Sequence, residues 1–517
     1  MKKIGIDFGT TNTTLAYFDE QQNRLCGYRF SNAFEYISSA IAYHKTKNEY
    51  CIAVDAQSVR DDNNYYFYEY YKIGLLQNSD EIVNPDHGKT YFDLFKDYLH
   101  RLIEIYKKEN LLSNEELLDV IALAVPNVLL TNTDSVVKAQ IESCLRREAR
   151  VSLLFSEPEC SSAYYSKQIE PDFSGDLIVV DYGGGTLDVS ICRVAKENED
   201  GNLLPAISIV QQYSMDSNKL IEYGAGIAFC NAMVEEITGL ICSDADFFPA
   251  VYEFDRILSS RDNINKGLAE YYENNEDDFS DGEISIRLNG KTMYATCSLF
   301  NKVFNQINKP TLDEALEKTL GVYLNGEANN LNKAFKIITV GGFSNLLCVN
   351  KVIAEKLGTG LGHLRQDNRL GQLTKTDRYL AVAYGAALYA SKEVIKSTET
   401  SYELGIHCYG GQENVMVLIS KGSPIDEYTQ IKWLSNPFYI ISGKDAKIKL
   451  QIYSISGLDS MDIILDISDS CLNDCTIFIG ARLVKYKPVL CVRNNLTKVV
   501  DEYDLSTYIN EFENRRL

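Results

Sequence analysis

No stretch of this sequence approaches the roughly 18 to 20 apolar residues that a membrane-crossing helix requires, so passage through a bilayer on a helix is not expected. The opening segment MKKIGIDFG has two lysines, but Asp7, Gly9 and two threonines break its apolar run. No signal-peptide core is left, and export is not expected. The 13 cysteines are scattered, as at Cys26, Cys144, Cys230 and Cys348, without paired spacing. Reduced, mostly buried thiols in a cytoplasmic setting follow. Cys471 and Cys475 come nearest to a ligand spacing, yet no second Cys or His pair accompanies them, and a metal site there is set aside. Clustered basic residues are missing too: 51 Lys and Arg stand against 72 Asp and Glu, a formal charge of −21. That balance argues against a nucleic-acid binder. It leaves ATP open, because nucleotide phosphates are held by backbone N–H groups, local lysines and Mg²⁺ rather than by net charge.

At 517 residues the chain exceeds what one hydrophobic core supports, and two or three domains are expected. Its 45% hydrophobic and 24% charged residues suit a globular protein that folds in water. Residues 3 to 8 and 13 to 18 read as strands around Gly9-Thr10-Thr11-Asn12, a hairpin turn. The tyrosine run at 65 to 71 is read as surface cover. An amphipathic helix pattern follows from about Phe92 to Lys108, then the strand VIALAVP at 120 to 126. Residues 176 to 194 form a second hairpin around Gly183-Gly184-Gly185, and Asp7 and Asp181 hold matched places before the two turns. Two similarly built lobes around a cleft are implied. Helices at 226 to 240, 253 to 272 and 298 to 333 follow, with an acidic loop at 273 to 283 and an Asn289-Gly290 hairpin among them. A strand at 336 to 340 ends at Gly341-Gly342. From Tyr402 the texture changes to short alternating β runs. The stretch 498 to 515 reads as one helix, too short for a helical bundle.

Phosphate recognition needs converging N–H groups and hydroxyls, and glycine lets the main chain approach closely. Both Gly-Thr turns offer this, while Asp7 and Asp181 stand where a hydrated Mg²⁺ would take one or two carboxylate ligands, with Asp188 a third candidate. A single glycine-rich turn is more often a plain hairpin. Two matched turns with matched aspartates favour phosphate. Neither is a Walker A motif or a dinucleotide-binding GxGxxG.

IGIDFGTTNTTLAYF and VVDYGGGTLDVSI resemble the two phosphate loops of the 70 kDa heat-shock protein (DnaK-like) chaperones, members of the actin, sugar-kinase and heat-shock ATPase superfamily. SEPECSSAYY resembles that family's Glu-Pro segment, TVGGFSNL its adenosine-site turn, and VAYGAALYA its closing helix. YELGIHCYGGQENVMVLISKGSPI resembles the opening of its peptide-binding β-sandwich; the likeness covers roughly residues 1 to 460. The resemblance implies an α/β, two-lobed, actin-like ATPase domain over 1–395, with lobe I about 1–175, lobe II about 176–376 and a closing helix 377–395. A linker at 396–401, an all-β peptide-binding domain at 402–490 without a helical lid, and a tail at 491–517 would follow.

The implied activity is ATP hydrolysis coupled to binding of unfolded or extended peptides, with ATP and Mg²⁺ as cofactors. A J-domain co-chaperone and a nucleotide-exchange factor are the partners it raises, without nucleic acid or membrane. By resemblance, Asp7 and Asp181 hold Mg²⁺ through water, Gly9, Thr10, Thr11 and Asn12 grip one side of the phosphates, and Gly183, Gly184, Gly185 and Thr186 the other. Lys72, whose alternative reading is a surface lysine, resembles the lysine that neutralises the transferred phosphoryl group; Glu157 and Asp188 resemble the groups that order water. Gly226, Lys266, Gly341, Gly342, Phe343 and Asn345 complete the nucleotide set. Three departures stand out. Ile227 and Ala228 replace acidic residues, Asn345 replaces an arginine that packs on adenine, and EVIKSTETS lacks the apolar, aspartate-ended linker. Weak coupling between domains is expected. The alternatives are a nucleotide-sensing scaffold with little turnover, and an actin-like or sugar-kinase ATPase.

Overall fold

The computed structural model describes residues 2–30, 35–126, 129–130, 136–199, 202–214, 225–244, 246–260, 262–273, 283–288, 290–324, 335–397, 402–409, 413–420, 428, 430–440, 446–454, 460–470, 475–484 and 487–509. Most of the acidic loop, Asn289, most of the 396–401 linker, Cys471 and the end of the expected C-terminal helix lie outside them. The chain is mixed α/β and divides into two compact units: Met1–Ile207, Ser214–Leu320 and Ala334–Ile395; and Ser208–Tyr213, Gly321–Lys333 and Lys396–Leu517. Among the described residues no helix is long and apolar enough to cross a membrane.

The first unit is built around two sheets with one recurring device. Lys3–Phe8 turns back antiparallel into Asn12–Asp19, and on its other side pairs in parallel with Leu118–Val125, which pairs in parallel with Ala149–Ser156. Gly175–Tyr182 turns back into Leu187–Glu199 and pairs in parallel with Phe335–Val340 on its other side. In each case the hairpin's first strand is central and largely apolar, with an aspartate, Asp7 or Asp181, next to its last residue. The register places Asp7 opposite Thr14 and Asp181 opposite Asp188.

Three helices position the site from their caps. Tyr91–Glu109 starts at a Thr90/Asp93 capping box, buries Leu94, Phe95, Tyr98 and Leu102, and backs the first sheet's core. Glu157–Tyr164 starts at a Ser156/Glu159 capping box with Pro158 in its first turn, so Glu159 satisfies the cap and Glu157 is left to the interior. Lys375–Ala390 starts at a Thr374/Asp377 box and is almost wholly apolar and small along its buried length, which lets it lie close to the first sheet. It ends at Ala390, not near 395, because Lys392 adopts a left-handed backbone (φ +60°) and a short strand, Ile395–Lys396, follows.

The tyrosine run does not cover the surface. Tyr65–Tyr68 is a strand paired with Ile41–His44, and Tyr68 and Tyr71 are buried in the core with Phe8, Phe95 and Tyr98.

The second unit contains two antiparallel sheets. One orders Glu413–Ile419, Tyr402–Tyr409, Lys447–Ser454 and Ser460–Asp466. In the other, Cys475–Val484 pairs with Lys432–Trp433, Phe438–Ile440 and Lys487–Asn494, which pairs with Val500–Asp504. Alternating residues of both, such as Leu404, Leu450, Ile463, Ile477 and Leu490, share one hydrophobic cluster. Val500–Asp504 corrects the first part of the expected helix over 498 to 515, five residues with alternating burial completing a ladder with Lys487–Asn494, while residues 506–509 within that range are helical. The β structure therefore extends past residue 490 to 504.

Candidate functional site

The two hairpin turns of the first unit face each other. A Cβ added at Gly184 would lie 2.6 Å from Thr11 Oγ1, and one at Gly185 would collide with the Thr10 side chain, so only glycine allows this approach. Each turn is closed by a backbone bond of the same kind, Gly9 N–H donating to the Asn12 carbonyl and Gly183 N–H to the Thr186 carbonyl, both at 3.0 Å. The first residues of the helix Gly226–Thr238 are tied to the second turn: Gly226 N–H donates to the Gly183 carbonyl at 3.2 Å and Ile227 N–H to that of Gly184 at 2.8 Å.

Between the turns lies an open cleft whose empty space, counting the solvent at its mouth, is about 880 Å³. It brings together Asp7, Gly9 to Asn12, Lys72, Glu157, Asp181, Gly183 to Thr186, Gly226 and Gly341 to Phe343. Gly341 has φ +83° and passes so close to Asp181 that a Cβ would lie 2.7 Å from its Oδ1. Three expected residues do not line it. Asp188 is buried and paired in register with Asp181; Asn345 ends the short turn Phe343–Asn345; Lys266 is exposed on the helix Asp262–Glu273.

Lys72 is not a surface lysine. It opens the helix Lys72–Asn78, is 5% exposed, and its ammonium donates to Glu157 Oε1 at 2.7 Å. Buried carboxylates outnumber it. Burial, then Glu157, push the Asp7 carboxyl up to about 7, with Lys72 pulling the other way. Burial, then Glu157, Asp188 and Asp7, push Asp181 well above the usual carboxylate range. Burial alone would lower Lys72, but Glu157, Asp7 and Asp181 together raise it.

A wall of buried carboxylates with a single ammonium among them is short of positive charge. It fits a divalent cation brought in with anionic oxygens of its own. Among the described residues no three His, Cys, Asp or Glu side chains are placed to hold a metal alone, so such an ion would depend on phosphate and water ligands, as Mg²⁺ ordinarily does. The Thr11 hydroxyl, buried at the apposed turns with no hydrogen-bond partner, fits an acceptor-rich ligand equally well.

Sequence reasoning missed Tyr36, Asp255, Arg378, Tyr379 and Val382, which also line the cleft. Of these, Val382 opens the VAYGAALYA motif, and Arg378 and Tyr379 lie just before it in the same helix. No protein-family model matches the chain, and no curated protein matches it.

Proposed function

We propose that the chain is an ATP-hydrolysing molecular chaperone of the 70 kDa heat-shock type, a two-lobed actin-like ATPase followed by a β-sandwich that binds extended peptide. The observation that carries this reading is the meeting of two hairpin turns from separate sheets with Asp7 and Asp181 at matched strand ends and the Lys72–Glu157 pair beside them.

Phosphoryl transfer asks for positioning and charge stabilisation rather than covalent chemistry. Mg²⁺, when bound, would neutralise phosphate charge, with Asp7 and Asp181 holding it through water. Thr10, Thr11 and Thr186 offer hydroxyls to phosphate oxygens, and the glycines bring the backbone within reach. Lys72 faces charge that grows on the transferred group, while Glu157, fixed by Lys72, is suited to orienting a water; Asp188, outside the cleft lining, acts through its neighbour Asp181. In the second unit, the two sheets around one apolar cluster support the β-sandwich reading. An actin-like filament protein or sugar kinase would share the turns but leaves those sheets without a role.

Steady-state phosphate release by the full chain, with and without an unfolded peptide, tests the proposal. Mg²⁺-dependent release that peptide accelerates is expected. Lys72→Ala should lower turnover while labelled ATP still binds, since the lysine acts on charge that develops during transfer. ATP binding without turnover would leave a nucleotide-sensing scaffold, and an unaltered rate in Lys72→Ala would remove that residue from the mechanism.

A further inference from the structure

The cleft holds a second cation that the phosphate chemistry leaves unused. Arg378 lines the same cleft as Lys72, from the first turn of Lys375–Ala390. Its Nη1 donates to Asn345 Oδ1 at 3.4 Å. A guanidinium has only donors, so this contact requires the Asn345 oxygen, not its amino group, to face the arginine.

Asn345 is itself held from behind. Its backbone carbonyl accepts from Asn265 Nδ2 at 2.9 Å, and Asn265 Oδ1 accepts from Leu347 N–H at 2.9 Å. The Arg378 backbone is fixed as well, its carbonyl accepting from Gly341 N–H at 3.2 Å. The next residue, Tyr379, also lines the cleft and stacks on Tyr36, with ring centroids 6.0 Å apart and planes 22° apart. The helix start therefore presents a flat cation, and Tyr379 together with Tyr36 of the strand Tyr36–Ser38 a flat aromatic pair, to one space. A planar, weakly hydrated guanidinium beside aromatic rings suits a planar heteroaromatic ring better than it suits a phosphate, whose recognition here is supplied elsewhere.

We propose that Arg378, positioned by Asn345, is the residue that lies against the base of a bound nucleotide. Asn345, which stands where the resembling family has an arginine, then acts on the base indirectly, by holding an arginine delivered from another element. The inference rests on the ATP reading of the cleft, and the experiment separates the two.

Titration calorimetry on the full chain with Mg²⁺ would compare ATP with inorganic tripolyphosphate, which has the charge but no base. Arg378→Ala is expected to weaken ATP at least about tenfold and to leave tripolyphosphate within about twofold. Arg378→Lys keeps the charge and loses the plane, so it should behave like Arg378→Ala, and it serves if the alanine variant does not fold. Asn345→Ala should weaken ATP selectively and add little in the double variant, as expected for a residue acting through Arg378. Equal loss of ATP and tripolyphosphate would make Arg378 a phosphate contact and overturn the inference, as would unchanged ATP affinity. Wild-type protein that fails to bind ATP overturns the ATP reading and this inference with it.

Discussion

The two hairpin turns share one backbone plan and divide the chemistry between them. The first, Gly9-Thr10-Thr11-Asn12, presents side chains, among them a buried hydroxyl with no partner. The second, Gly183-Gly184-Gly185-Thr186, presents almost none before Thr186, and that bareness is what admits Thr10 and Thr11. The aspartates differ in the same way. Asp7 faces Thr14 across its hairpin, whereas Asp181 faces Asp188, a second carboxylate. The matched frames show that one backbone plan can be repeated on two sides of a cleft while the sides supply different groups, hydroxyls from Thr10 and Thr11 on one and bare backbone at Gly183 to Gly185 on the other.

The sharpest way to break this comparison is to neutralise each aspartate. Asp181→Asn and Asp7→Asn should each slow ATP hydrolysis at least tenfold, since removing a positioned charge costs about 2 to 4 kcal/mol of transition-state stabilisation. The same variants should melt no lower than wild type without nucleotide, and Asp181→Asn higher, because each removes charge from a buried carboxylate cluster. Unchanged turnover in both variants, measured by phosphate release, would dissolve the metal-site assignment.

A smaller effect separates the glycines within one turn. Gly185→Ala would drive a methyl group into Thr10 and should cost about 1 to 3 kcal/mol of stability, together with nucleotide affinity. Gly183→Ala meets its nearest neighbours at 3.8 Å and should cost under about 1 kcal/mol in chemical denaturation. Equal losses would mean that the turns do not meet as described.

The mildest test is pH. Asp7 binds its proton up to about pH 7 in the folded chain but only to about 3.8 when unfolded, so the folded state holds more protons across that window. The stability that Asp7 contributes without metal, read as the difference between wild type and Asp7→Asn, should therefore fall as pH rises from about 4 to about 7 and level off above. Mg²⁺ favours the ionised carboxylate, so its binding at pH 6 should release protons and should tighten as pH approaches 7. Calorimetry in two buffers of different ionisation enthalpy reads the release, and its absence would remove Asp7 from the cation site.

The local sequence was enough to place both hairpins, because an apolar strand ending in aspartate, a glycine-threonine turn and a β-branched return strand are each settled by neighbouring residues. It was enough also for the helix Tyr91–Glu109, read from about Phe92 to Lys108 by the spacing of its apolar residues. It could not decide where the tyrosines of 65 to 71 would go, since the rings are amphipathic and only the packing of Tyr71 against Phe8 and Tyr98 puts them inside. Nor could it make a strand of Val500–Asp504, whose partner Lys487–Asn494 decides its state. Chain-distant contacts alone brought Thr11 against Gly184, Lys72 against Glu157, and Arg378 against Asn345. Local propensity selects turns and caps within a few residues; charge pairing and close approach between residues far apart in the chain belong to the tertiary fold, where burial sets their strength.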